Sequence, residues 1–188
     1  MKIYLTIIIV TLTISISCSN KEHKKSNIKK SFVREKIGQE LKIPNKIKAI
    51  NGNKLIYDSI SVFTSPVKIF TYVNFDCNYC YEELKKYRTL INNINNNYSK
   101  NISLIILGHS WNNNLSGYYT FFENNSDFPF PIFIDKKMKF LEINNIPDKK
   151  VLHTFVIDNN NKIYLVGNPF VNKKMKKLYL EEIKDMIK

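Results

Sequence analysis

The hydrophobic pattern changes period twice in one short stretch of this chain, and the two changes together admit few folds. Val67-Lys68-Ile69-Phe70-Thr71-Tyr72-Val73-Asn74-Phe75 is rich in β-branched and aromatic residues, as a buried strand requires. From Tyr81 onward Leu84, Tyr87, Arg88, Ile91 and Ile94 recur at helical spacing until Asn95-Asn96-Asn97 breaks the pattern, and Ile102 to Leu107 reads as a second buried strand. Strand, helix and strand in that order predict a right-handed crossover joining parallel strands. In open sheets of this kind, sites form at the carboxyl ends of the strands.

The first of those ends carries Cys77-Asn78-Tyr79-Cys80. A helix N-terminus has unsatisfied N–H groups and partial positive charge, so a thiolate at Cys77 is stabilised and its pKa can fall into a range of roughly 3.5 to 7.5. Cys80, nearly one turn on, is placed to attack a mixed disulfide formed at Cys77. The spacing predicts Cys77 and Cys80 as a catalytic, redox-active disulfide couple. A Cys-x-x-Cys can also be half of a zinc site, but no second ligand pair of that type follows.

The start of the chain explains why three cysteines suffice. Met1-Lys2 precedes an apolar run, Ile3 to Ile16, which ends in Ser15-Ile16-Ser17-Cys18 and reads as a secretory signal peptide over residues 1–17. The ending resembles a bacterial lipobox, with the small Ser17 fitting and Ser15 standing where leucine is usual. This reading makes Cys18 the lipidated (palmitate-bearing) first residue of a mature lipoprotein. A membrane span is the alternative, but it needs about 20 apolar residues. The Lys-rich segment to residue 30 looks like a tether, leaving 31–188, roughly 160 residues, as one domain. The expected location is the bacterial cell envelope, on the exported side of the membrane. There the mature chain holds only the Cys77/Cys80 pair in an oxidising compartment.

A net charge of +13 adds little. The lysines are spread out and accompany abundant asparagine and isoleucine, and the clusters Lys21 to Lys30 and Lys173 to Lys177 suit anionic headgroups or plain solvation. No nucleic-acid motif accompanies them, so no nucleic-acid partner is expected.

Elsewhere, Ser31 to Gln39 is a short amphipathic piece, and Ile47 to Tyr57 is extended with a turn at Asn51-Gly52-Asn53. Leu115 to Phe122 predicts a short helix, Pro129 to Ile134 a strand, and Met138 to Asn144 another helix. Thr154 to Asp158 and Lys162 to Val166 predict a hairpin. Lys173 to Ile187 closes the chain as a helix with Met175, Leu178, Ile183, Met186 and Ile187 on one face.

This order, with Cys-x-x-Cys at the first strand-to-helix junction, resembles the thioredoxin-like fold, α/β with a central mixed sheet and flanking helices. Phe128-Pro129-Phe130-Pro131-Ile132-Phe133-Ile134-Asp135 and Thr154-Phe155-Val156-Ile157-Asp158 narrow the likeness to the redoxin (AhpC/TSA, TlpA-like) superfamily, whose membrane-anchored branch includes cytochrome-maturation thiol reductases. The resemblance covers about residues 40 to 188. It implies Cys77 as attacking thiol, Cys80 as resolving thiol, no cofactor, and envelope protein thiols or disulfides as partners.

Three departures accompany it. The family's cis-proline would fall at Leu152 or close to it, where there is no proline. Asn78-Tyr79 replaces the usual pair between the cysteines, so the redox potential does not carry over. Asp76 precedes Cys77 and is expected to N-cap the helix while opposing the thiolate. A peroxidase-type P-x-x-x-T-x-x-C would need proline and threonine where Phe70 and Asn74 stand. Glu82 and Glu83 are expected in the first helical turn, where they favour the dipole.

The residues expected around the dithiol, as groove or surrounding shell, are Asp76, Tyr79, His109, Trp111, Leu152 and His153. His109 and His153 end and begin strands at that edge, so Cys77, Cys80, His109 and His153 form an alternative S2N2 site for zinc or copper. Two function classes result. One is a thiol-disulfide oxidoreductase; the other is a binding protein, either a metal carrier or a module whose dithiol is structural.

Overall fold

The computed structural model describes residues 30–44, 47–52, 54–58, 63–98, 102–111 and 114–188. The expected signal peptide, Cys18 and all but the end of the expected tether lie outside them. The described chain divides between Lys36 and Ile37 into two units. The first contributes helix α1 (30–36), and the second carries everything that follows.

β3 (Val67–Asn74) is the axis of a seven-stranded sheet. It is buried along all but its last residue, as its unbroken apolar pattern requires of a strand covered on both faces. β4 (Ile102–His109) runs parallel to it, with Phe70 opposite Ile105 and Asn74 opposite His109. The crossover between them is α2 (Asn78–Tyr98). On the other side of β3, β6 (Thr154–Asp158) runs antiparallel and places Thr154 against Thr71. β1 (Ile47–Asn51), β2 (Lys54–Asp58), β5 (Ile132–Ile134) and β7 (Ile163–Val166) complete the order β2-β1-β5-β4-β3-β6-β7.

Alternation along the strands sorts the core into two layers. Val67, Ile69 and Val73 join Leu104 and Ile106 in a cluster with Leu84, Tyr87, Ile91 and Ile94 of α2 and with Tyr179 and Ile183 of α5 (Lys173–Met186). On the opposite face Phe70 stacks on Phe140 of α4 (Lys139–Ile143) at 4.7 Å and lies 6.4 Å from Phe155.

Local details differ from the expected boundaries. The strand at 129–134 is only Ile132–Ile134, because Pro129 and Pro131 have no N–H for a ladder. In α5 Leu178 is 41 % exposed and Tyr179 is fully buried. The helical face therefore runs through Met175, Tyr179 and Ile183, and the Tyr179 hydroxyl donates to the Gly167 carbonyl.

Candidate active site

The edge at the carboxyl ends of β3 and β4 is built by a short turn, Phe75-Asp76, between β3 and α2. Phe75 continues the parallel ladder, donating its N–H to the His109 carbonyl at 2.8 Å. Its ring lies flat on Tyr118 of α3 (Ser116–Asn124), with centroids 4.2 Å apart. Two glycines permit this closeness. A Cβ at Gly108 would sit 2.7 Å from the Phe75 ring, and one at Gly117 would sit 2.3 Å from the Phe75 carbonyl oxygen. The Tyr81 hydroxyl reaches that same oxygen at 2.8 Å and the Gly117 carbonyl at 3.1 Å.

Asp76 does not cap the helix. Its carboxylate accepts from the Ser110 hydroxyl and from the Trp111 N–H, both at 2.7 Å, and so fastens the loop after β4 to the turn before the cysteines. The capping position belongs to Cys77, the residue before the first helical one. Its backbone carbonyl accepts from the Cys80 N–H at 2.9 Å. This sets its sulfur at the positive end of α2, which favours a thiolate there.

The two thiols are accordingly unequal. Partial burial raises the Cys77 pKa, but the Cys80 thiol, the N–H groups of Cys80 and Tyr79, and the Lys150 ammonium outweigh it and leave the pKa below that of an ordinary thiol. Cys80 is only 4 % exposed. Burial, reinforced by the hydrogen bond to Cys77, pushes its thiol up to about 11 against the pull of Lys150. A half-buried sulfur that ionises more readily beside a buried one that resists it is the asymmetry that attack and resolution need.

Sequence reasoning missed the charged pair beside Cys80. The chain enters β6 through a 3-10 turn, Lys150–Leu152, at the place where the resemblance implies a cis-proline. Lys150 Nζ lies 3.5 Å from Cys80 Sγ, 2.8 Å from Glu83 Oε2 and 4.6 Å from the centre of the Tyr79 ring. Burial lowers the Lys150 pKa, but Glu83 and Cys80 outweigh that and keep it raised, so the group stays an ammonium. Glu83 falls in the second turn of α2 rather than the first. Its other oxygen accepts from the Asn168 amide, so the helix dipole is not its main partner. Behind Cys80 is a cavity of about 10 Å3 bordered by Thr71, Glu83, Tyr87, Lys150 and Thr154, close to the room one water needs.

The remaining predicted residues divide. Tyr79 and Trp111 are 67 % and 62 % exposed; Tyr79 lies between the cysteines, and the Trp111 ring meets His109 edge-on at 5.9 Å. Leu152 is buried and packs in the turn. His109 stacks on Tyr72 at 4.7 Å, and His153 meets the same ring edge-on at 5.8 Å while bonding the Pro147 carbonyl. Burial lowers both histidine pKa values. Among the described residues no group of three or more His, Cys, Asp or Glu side chains is placed to hold a metal ion, so Cys77, Cys80, His109 and His153 do not assemble the S2N2 site. The histidines pack on Tyr72 instead.

Solved structures share this architecture. A candidate protein disulfide isomerase from Bacteroides thetaiotaomicron superposes with a TM-score of 0.57 at 17% identity, over 80% of this chain and 89% of its own. The chain has a thioredoxin-like fold. The thioredoxin domain of a thiol-disulfide oxidoreductase from Bacteroides vulgatus gives a TM-score of 0.53 at 13% identity, over 81% of this chain and 98% of that one. AhpC from Mycobacterium bovis gives 0.53 at 16% identity, covering 78% and 97%. No family model matches the sequence, and no curated protein does. In this thioredoxin-like sheet the cysteines stand where the crossover helix leaves the central strand, and Lys150 stands at the entrance to the neighbouring antiparallel strand.

Proposed function

We propose that the protein is a thiol-disulfide oxidoreductase acting on protein substrates. The observation that carries this is the pairing of Cys77, a half-buried thiol at the N-terminus of α2 with a lowered pKa, and Cys80, a buried one with a raised pKa. In the reducing direction the Cys77 thiolate attacks a substrate disulfide, and one substrate sulfur leaves with the electron pair. Cys80 then attacks the Cys77 sulfur of the mixed disulfide, and the second substrate sulfur leaves as a thiol. The opposite direction uses the same steps in reverse. The exposed Tyr79 and Trp111 rims offer aromatic surface for an extended peptide beside the dithiol.

The same reading places the enzyme in a bacterial envelope as a lipoprotein, anchored through lipid on Cys18 after removal of residues 1–17. The apolar N-terminal run and the Ser15-Ile16-Ser17-Cys18 ending support it. Labelled palmitate incorporated into the wild-type chain and absent from Cys18→Ala is the expected result. Equal labelling of both would refute the anchor.

Insulin reduction tests the chemistry. Cys77→Ser should abolish turnover and form no adduct with substrate. Cys80→Ser should also lose turnover but accumulate a mixed disulfide at Cys77. Turnover that survives either substitution would rule out the mechanism.

A further inference from the structure

We propose that Lys150 is a catalytic residue of the resolving step, holding the Cys80 sulfur as a thiolate while it attacks the mixed disulfide. This rests on the oxidoreductase reading above and deepens it. The geometry has three parts. Lys150 Nζ donates to Cys80 Sγ at 3.5 Å. Glu83 Oε2, at 2.8 Å, fixes the ammonium from the helix side. The Tyr79 ring, 4.6 Å away, receives the same cation from the solvent side.

The need for such a group follows from the reaction. Before substrate arrives, Cys77, its pKa lowered, is the readier of the two sulfurs to carry the charge. Once the Cys77 sulfur is bonded to substrate it no longer carries that charge, and the anion must form on Cys80. Cys80 is buried, and burial opposes ionisation there. A cation touching the sulfur offsets that opposition. The Cys80 thiolate then forms the Cys77–Cys80 bond, the Cys77–substrate bond breaks, and the electron pair leaves on the substrate sulfur. The proton given up by Cys80 ends on that sulfur, so no outside reactant is consumed. The titratable groups around Cys80 and Lys150 are Cys77 just before α2, Tyr81, Glu83 and Tyr87 on α2, and His153 beside the turn. Among them only Lys150 is cationic at neutral pH, because burial keeps His153 neutral.

The test uses the reduced protein and glutathione disulfide, with acid quenching and mass measurement of the glutathione adduct on Cys77 across pH 6 to 9. Each unit of pKa changes thiolate abundance tenfold and returns part of it through nucleophilicity, leaving about a threefold effect on rate. Lys150→Met should therefore lengthen the adduct's lifetime at least about threefold at pH 7 and move the pH profile of resolution upward. Lys150→Arg should stay near wild type. The double variant Glu83→Gln/Lys150→Met removes the stranded carboxylate and should remain slow. Wild-type lifetime in Lys150→Met, or in the double variant, would overturn the proposal while leaving the oxidoreductase reading intact. Absence of any adduct on Cys80→Ser, with no glutathione thiol released by the wild-type protein, would defeat that reading and the proposal with it.

Discussion

Single side chains decide the chemistry here, and Asp76 shows how a local signal can mislead. An aspartate directly before a helical pattern reads as a cap, yet its two oxygens are taken by Ser110 and Trp111, on a loop distant in sequence. Replacing Asp76 by alanine should free that loop. The expected loss is about 1 to 3 kcal/mol for charge-accepting hydrogen bonds at a partly exposed site, read from denaturant unfolding, together with a change in Trp111 fluorescence. An unchanged emission spectrum would show that Asp76 does not position Trp111. The two buried histidines give a pH signature. Their folded pKa values lie below the ordinary value of about 6.5, so stability is fully present above that pH. It is lost as pH falls towards the folded values, because only the unfolded chain takes up the protons there. Melting temperature should decline from pH 7 to pH 5, and less steeply in His109→Gln.

Among elements, the turn from β3 into α2 depends on the close approach of α3 and β4. Gly117→Ala puts a methyl against a backbone oxygen, which cannot rotate aside as a flexible side chain would. It should cost about 1 to 3 kcal/mol in thermal or denaturant unfolding. Gly108→Ala meets the edge of the Phe75 ring, which is stacked and cannot easily yield. Neutral behaviour of both variants would mean that the turn does not rely on this packing. The strand-helix-strand unit and the terminal hairpin were legible in the sequence because their signals are local: period, turn residues and β-branching along one stretch. The extent of β5 was less so, since Pro129 and Pro131 sit in an apolar run but cannot pair. The buried face of α5 turned on Tyr179, whose hydroxyl finds the Gly167 carbonyl, while the more apolar Leu178 faces out.

The molecule as a whole brings together what no local pattern announces. Cys77 and Cys80 were readable as a couple because they lie one turn apart at a recognisable junction. Lys150 and Glu83 meet only because β6 pairs beside β3, and a lysine in so lysine-rich a chain carries no signal of its own. The same pairing brings Tyr72 between His109 and His153, and the two rings pack on it in place of the alternative S2N2 arrangement. The fold thus makes two similar cysteines different: one half-buried with a lowered pKa, the other enclosed with a raised one. Alkylation of the reduced protein at pH 7 with iodoacetamide, followed by peptide mapping over time, measures that difference directly. Labelling of Cys77 well ahead of Cys80, at a rate whose pH midpoint lies below that of an ordinary thiol, is the expected result; equal labelling, or Cys80 first, would contradict it.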